Sequence, residues 1–96
     1  GFTEMTKINA LASTWGIPVI PHGGQMHNYH FIAAHMNAPL AEYFPRPEDL
    51  WDGNAFYWEI VHGEPVAVDG FIELPDRPGL GLELDEEAIE KFRMDR

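Results

Sequence analysis

The sequence has no cysteine and no long apolar run, and it is poor in positive charge. Without cysteine the chain can form neither a disulfide nor a thiolate site, which fits a cytoplasmic protein. No run approaches the roughly 20 apolar residues that a membrane-spanning helix needs. Because 16 Asp and Glu outweigh 6 Lys and Arg, the net charge is −10. This balance argues against nucleic acid or an anionic membrane as a partner.

The chain also begins without an initiator methionine or a targeting segment, so we expect further residues to precede Gly1. Its 96 residues are enough for one small domain. Three Trp, three Tyr and six Phe exclude a disordered acidic tail.

The first part of the chain alternates between helical and strand-like segments. Helical spacing of apolar residues predicts a helix over 3–15, with Thr3 as its N-cap. Short apolar runs at 17–20 and 40–44 predict two buried strands, which flank a second, mostly buried helix over 29–36. This order predicts a parallel α/β sheet. Because two parallel strands cannot close a core, we interpret the chain as a fragment.

Local turn and cap signals are clear in several places. Gly16 follows the first helix at the position where a left-handed residue ends a helix. A turn-rich linker follows Pro45, and residues 65–74 predict a hairpin with Asp69-Gly70 as its type I′ turn. Asp85 is predicted to cap a last helix, with acids Glu86 and Glu87 at its start and bases Lys91 and Arg93 at its end.

Two polar side chains fall where the predicted parallel strands end. His22 follows the first apolar run, and Glu42 lies in the second. Since the carboxyl ends of parallel strands share one edge, we expect the imidazole and the carboxylate to lie close together. A base that titrates near neutrality beside a carboxyl group indicates proton chemistry.

Four segments resemble the C-terminal portion of enolase-superfamily enzymes. The resemblance is to the mandelate racemase-like subgroup, and within it to acid-sugar dehydratases of the L-rhamnonate type. The first two segments are Gly1-Phe2-Thr3-Glu4 and Ile17 to Gly23. The third comprises Tyr29-His30-Phe31, Asn37, Pro39 and Ala41-Glu42-Tyr43, and the fourth comprises Pro65 to Gly70 with Leu74 to Gly81. The resemblance implies the last helices and strands of a TIM-like (β/α)7β barrel over residues 1–45. It implies a tail over residues 46–96 that packs on the barrel and returns to an α+β capping domain.

The resemblance also implies a mechanism. His22 would be the general base that removes the proton α to a carboxylate, and Glu42 would hydrogen-bond the developing enediolate. The product would be a 2-keto-3-deoxy sugar acid, formed by loss of water. Mg²⁺ would be required, with its ligands upstream of Gly1 and none in this segment. A racemase or epimerase with the same base, or a non-catalytic truncated copy, remains open.

Further residues and partners complete these expectations. His27 and Tyr29 would bind substrate from the loop after the first strand. A zinc site built from the histidines is disfavoured, because no cysteine accompanies them and their spacing does not place four ligands on one face. The expected partners are a small sugar acid, the rest of the protein's own barrel and capping domain, and further copies of the complete protein.

Overall fold

The computed structural model describes residues 1–45 and 55–94, with side chains for all of these except residues 55 and 56. The chain divides into two compact units, Gly1–Phe44 and Pro45–Arg96. The predicted linker after Pro45 lies almost entirely outside the described residues. The assignment of 1–45 to a barrel and 46–96 to a tail stays a prediction. No helix in the described part of the chain is long and apolar enough to cross a membrane.

Helix α1 spans Phe2–Thr14 and starts earlier than predicted. The prediction of Thr3 as N-cap is wrong, because the Gly1 carbonyl already accepts a hydrogen bond from the Met5 N–H at 3.1 Å. The end of the helix is as predicted. Gly16 has a φ of 66°, and the N–H groups of Gly16 and Ile17 each bond a carbonyl of the last turn at 3.0 Å. This is a Schellman motif, which reverses the chain toward the next segment.

The apolar stripe of α1 is exposed in this chain. Ile8, Leu11 and Trp15 are all largely open to solvent, whereas the polar Asn9 is buried. The Asn9 Oδ1 accepts a hydrogen bond from Asn37 Nδ2 at 3.3 Å. Amphipathic spacing therefore predicted the helix correctly, but the side of α1 that is buried carries Asn9 and not the apolar stripe.

The two runs predicted as parallel strands, 17–20 and 40–44, form no β-ladder in the structure. That prediction is wrong for the chain by itself. Val19 donates its N–H to the Asn37 carbonyl at 2.9 Å, and Ile17 and Ile20 remain exposed. The physical reason is that a buried parallel strand needs a neighbouring strand on each side. Short runs without such neighbours are only marginally stable as a sheet.

Helix α2 spans Met26–Ala34, so it begins and ends earlier than the predicted 29–36. It starts after Gln25, whose extended backbone presents its carbonyl to the N–H groups of Asn28 and Tyr29. The prediction that this helix is mostly buried holds for one face, with Met26, Asn28, Tyr29 and Phe31 buried, whereas its last two residues are exposed. Met26 and Phe31 are the largest fully buried side chains among the described residues.

Within residues 55–94, the described part of the second unit is built from short elements. They are α3 (Ala55–Glu59), β1 (Val61–His62), β2 (Glu83–Leu84) and α4 (Glu86–Lys91). Strands β1 and β2 pair antiparallel, with Val61 opposite Leu84. The sequence did not predict this pair, because two residues are too few to show a strand period.

The predicted hairpin over 65–74 is reduced to its turn. Asp69 and Gly70 have φ values of 50° and 81°, as a type I′ turn requires. Val68 and Phe71 exchange two backbone hydrogen bonds of 2.9 Å. The flanking strands do not continue, and Val66, Val68 and Phe71 are exposed. Because these apolar side chains are not buried, the hairpin gains little stability from further strand pairing.

The prediction for α4 is confirmed at its start. Asp85 caps the helix and accepts a hydrogen bond from the Ala88 N–H at 2.8 Å. Glu86 and Glu87 lie in the first turn and Lys91 in the last, which suits the helix dipole. Arg93 lies beyond the helix and pairs with Glu90.

Candidate catalytic site

The loop that leads into α2 carries His22 on its outer side. The imidazole side chain is 91% exposed. Gly23 follows with a φ of 100°, which favours glycine because a Cβ would be strained there. The sequence His-Gly-Gly thus turns the chain sharply and leaves the imidazole projecting from the loop.

Glu42 holds this loop through one carboxylate oxygen. Its Oε2 lies 2.7 Å from His22 Nδ1 and accepts a hydrogen bond from the Gly23 N–H at 2.5 Å. When the carboxylate accepts from Nδ1, the proton of the neutral imidazole resides on Nδ1. Nε2 then carries a free lone pair. The structure therefore brings the two predicted side chains into direct contact.

Asn28 holds the same loop from the side of α2. Its Nδ2 donates to the carbonyl of His22 at 2.9 Å and to that of Gly23 at 2.7 Å. The residue is only 3% exposed. Sequence analysis did not single out Asn28, although an Asn in the first turn of a helix just after a Gly-Gly loop is a recognisable signal for side-chain-to-backbone bonding.

Gly24 lets the loop approach the segment that carries Glu42. A Cβ at this position would lie 2.9 Å from Tyr29 Oη and 3.0 Å from both the Glu42 carbonyl oxygen and the Phe44 nitrogen. Only glycine fits without a shift of the backbone. The Phe44 ring meets the imidazole of His22 edge-on, with centroids 6.4 Å apart at 87°. It provides an apolar neighbour for the base.

A comparison with known families identifies the chain. A family model described as enolase C-terminal domain-like matches residues 1–88. The chain belongs to the enolase C-terminal domain-like family. This confirms the resemblance drawn from the sequence, and family membership supports part of an α/β barrel as the fold class.

Two curated relatives of this enolase-like chain carry related names. An L-rhamnonate dehydratase from Saccharopolyspora erythraea is 36% identical over 88 residues, which are 92% of this chain and 23% of the relative. A protein from Caldivirga maquilingensis, provisionally named L-rhamnonate dehydratase, is 37% identical over 89 residues, which are 93% of this chain and 22% of the relative. The chain thus spans less than a quarter of the length of these relatives.

The described residues of this enolase-like chain do not fit a Mg²⁺ site by themselves. Across 1–45 and 55–94, no group of three or more His, Asp or Glu side chains could hold a metal ion. The Oε2 of Glu42 is already engaged by two hydrogen-bond donors. Divalent metals of this kind take several oxygen ligands, and the described residues do not bring such a set together.

The other two predicted site residues lie on α2, so His27 belongs to the helix and not to the loop before it. Tyr29 is buried, and its hydroxyl faces Gly24 behind the His22 loop. His27 is half-buried in the first helical turn. Among the described residues it has no hydrogen-bond or ion-pair partner. Substrate binding by these two residues stays a prediction.

A second His–carboxylate pair occurs in the other unit. His62 Nε2 lies 2.8 Å from Asp85 Oδ2, in a surface cleft that Trp58, Glu59 and Lys91 also line. The Ala88 N–H, and after it His62, stabilise the carboxylate and lower the pKa of Asp85 below its usual value. Lys91 pairs with Glu59, so one ion pair ties α4 to α3, and the contact between His62 and Asp85 ties the start of α4 to β1.

Proposed function

We propose that this chain supplies the acid–base residues of a Mg²⁺-dependent acid-sugar dehydratase. The observation that carries the proposal is the contact of 2.7 Å between His22 Nδ1 and Glu42 Oε2. It fixes one nitrogen of the imidazole and leaves Nε2 available as a base on an exposed ring. Family membership and the names of the two relatives support the reaction class.

In the proposed reaction, His22 Nε2 removes the proton from the carbon α to the substrate carboxylate. The electron pair of the broken C–H bond moves toward the carboxylate and forms an enediolate. The imidazolium then returns its proton to the β-hydroxyl, whose C–O bond breaks as water leaves. The resulting enol tautomerises to a 2-keto-3-deoxy acid. General acid–base catalysis of this kind contributes about 10²–10⁴-fold.

We assign Glu42 the task of holding the neutral imidazole in one tautomer and stabilising the imidazolium that forms. The role predicted from the sequence, a hydrogen bond to the enediolate, requires a proton on the Glu42 carboxyl. The contacts of Oε2 with His22 Nδ1 and the Gly23 N–H support the positioning task, and the enediolate role stays a prediction. Mg²⁺, when bound, would supply charge stabilisation for the enediolate, and we propose that its ligands lie outside this chain.

The test uses the complete protein that contains this chain, with Mg²⁺, in D₂O. Five- and six-carbon sugar acids are supplied as a panel, and proton NMR follows their conversion. We expect a 2-keto-3-deoxy product, and we expect His22→Asn to abolish it while His62→Asn retains it. The second variant is the matched control, because it disrupts an equivalent His–carboxylate contact in the other unit.

The other outcomes have distinct meanings. Deuterium exchange or inversion at C2 without loss of water would replace the dehydratase by a racemase or epimerase that uses the same base. A complete protein that turns over none of the acids would contradict the enzyme assignment and favour a non-catalytic copy. Equal losses in both histidine variants would contradict the role of His22.

A further inference from the structure

We infer that Asn28 is a positioning residue, which sets the direction of the His22 imidazole by binding the successive backbone carbonyls of His22 and Gly23. The inference rests on the proposed function in taking His22 as the base. It goes beyond that function because Asn28 need not touch the substrate. The hydrogen bonds of its Nδ2 within the described residues go to backbone carbonyls, at 2.9 Å and 2.7 Å.

The loop needs such a restraint because of its composition. Gly23 and Gly24 are adjacent, and glycine populates a wider range of backbone angles than any other residue. A projecting imidazole on a Gly-Gly loop would sample many directions. A general base must lie within hydrogen-bond reach of the proton it removes. Something outside the loop must therefore fix its backbone.

Asn28 and Glu42 bind the two polar ends of the His22–Gly23 peptide, and Asn28 also binds the carbonyl of the next peptide. Glu42 accepts the Gly23 N–H, whereas Asn28 donates to the carbonyls of His22 and Gly23. These contacts engage three backbone groups of two consecutive residues. The direction of the imidazole is then determined by the backbone as well as by its own contact with Glu42.

Asn28 is itself rigidly placed. It lies in the first turn of α2 between Met26 and Tyr29, which are both buried. A buried carboxamide is stable only when its polar atoms find partners, and the two loop carbonyls take the Nδ2 donor. The buried face of α2 thereby fixes the position of the loop.

The chain offers a matched control in Asn37. Its Nδ2 also binds a backbone carbonyl, that of Ile17 at 2.8 Å, and a second acceptor on Asn9. It has the same type of bond in the same unit, but it does not hold the His22 loop. A role of Asn28 in stability alone would make Asn28→Ala and Asn37→Ala behave alike.

The experiment compares Asn28→Ala, Asn28→Ser and Asn37→Ala in the complete protein. Each is measured for kcat, KM and thermal unfolding, and by ¹⁵N NMR of labelled histidine. We expect Asn28→Ala to lower kcat about 10- to 100-fold, with KM little changed. Asn28→Ser retains one donor, so its loss should be smaller. In the Asn28→Ala spectrum, the His22 signals should shift from a single tautomer toward the average of two.

Asn37→Ala should lower the unfolding temperature but leave kcat and the His22 signals as in the unaltered protein. The inference is overturned if folded Asn28→Ala matches Asn37→Ala in kcat and retains the single-tautomer signals. The NMR readout does not require turnover. If the complete protein were inactive on every sugar acid, the proposed function would fail, but an effect of Asn28→Ala on the His22 tautomer would still support the positioning role.

Discussion

The two units each contain a His-Gly dipeptide whose imidazole binds a carboxylate. In the first, His22 contacts Glu42 at 2.7 Å and Gly23 has a φ of 100°. In the second, His62 contacts Asp85 at 2.8 Å and Gly63 has a φ of 98°. By residue type, distance and backbone shape, the two motifs are nearly the same.

They differ in which nitrogen is engaged. His22 uses Nδ1, next to its own backbone, and so leaves the far end of the ring free. His62 uses Nε2, the far nitrogen, to join Asp85 at the start of α4. The imidazole of His22 is also more exposed, at 91% against 61%. In the proposed function, the first pair presents a base to a substrate, whereas the second links β1 to the start of α4. The nitrogen that the carboxylate engages is what separates the two pairs.

The largest expected contrast comes from the two carboxylates. Glu42→Gln should lower kcat about 100-fold, because a neutral amide neither stabilises the imidazolium nor acts purely as an acceptor toward Nδ1. Asp85→Asn should leave kcat as it is. Steady-state kinetics on the complete protein checks both variants. Comparable activity of Glu42→Gln and Asp85→Asn would remove the functional distinction between the two pairs.

A smaller contrast comes from the close-packed glycines. Gly24→Ala forces Tyr29 Oη and the backbone of Glu42 and Phe44 to move, so we expect kcat to fall about 10-fold as the imidazole is misplaced. Gly63→Ala places a Cβ 2.7 Å from the Gly81 carbonyl oxygen. The positive φ of this position costs alanine about 1–2 kcal/mol more than glycine.

The two alanine variants should therefore differ in whether kcat or the unfolding temperature is mainly affected. Gly63→Ala should lower the unfolding temperature while the folded protein keeps its kcat. Kinetics at a temperature where both variants are folded distinguishes them. A loss of kcat in Gly63→Ala as large as that in Gly24→Ala would contradict the division of roles between the units.

The smallest expected effect is the pH dependence of Asp85. The bonds from Ala88 and His62 lower the pKa of its carboxyl in the folded state below the ordinary value of 3.8. The carboxylate therefore stabilises the fold above the pKa of the unfolded state. This contribution is lost as the pH falls through the lower, folded pKa. Unfolding temperatures of the unaltered protein and Asp85→Asn should differ at neutral pH and converge in acid, and a difference that grows in acid would contradict the assignment.

Features set by a few adjacent residues could be predicted from the sequence. The helix end at Gly16 and the Asp69-Gly70 turn depend on local backbone sterics. The Asp85 cap depends on a side chain that accepts a hydrogen bond from its own helix. The closeness of His22 and Glu42 was also predicted, although the expected route was through two parallel strands. The strands themselves require neighbours far away in the sequence, and residues 17–20 could not reveal whether these are present.

Other features had no local signal or only a weak one. Strands β1 and β2 are two residues each, which no periodicity can show. Asn28 follows a Gly-Gly loop, which indicates side-chain-to-backbone bonding in general but not which carbonyls it binds. The buried side of α1 was also beyond prediction, since spacing marks the apolar stripe of Ile8, Leu11 and Trp15 but not what covers it.

The contacts around His22 also differ from those of the other unit in the length of chain that each one closes. Asn28 bonds residues five and six positions away, and Glu42 bonds a residue 19 positions away. The equivalent links in the other unit span 23 residues from His62 to Asp85 and 32 from Glu59 to Lys91. Each doubling of a flexible loop adds about 0.6 kcal/mol of closure entropy. The loop that carries the base thus makes its holding contacts with less loss of chain freedom than the links that tie α4 in place.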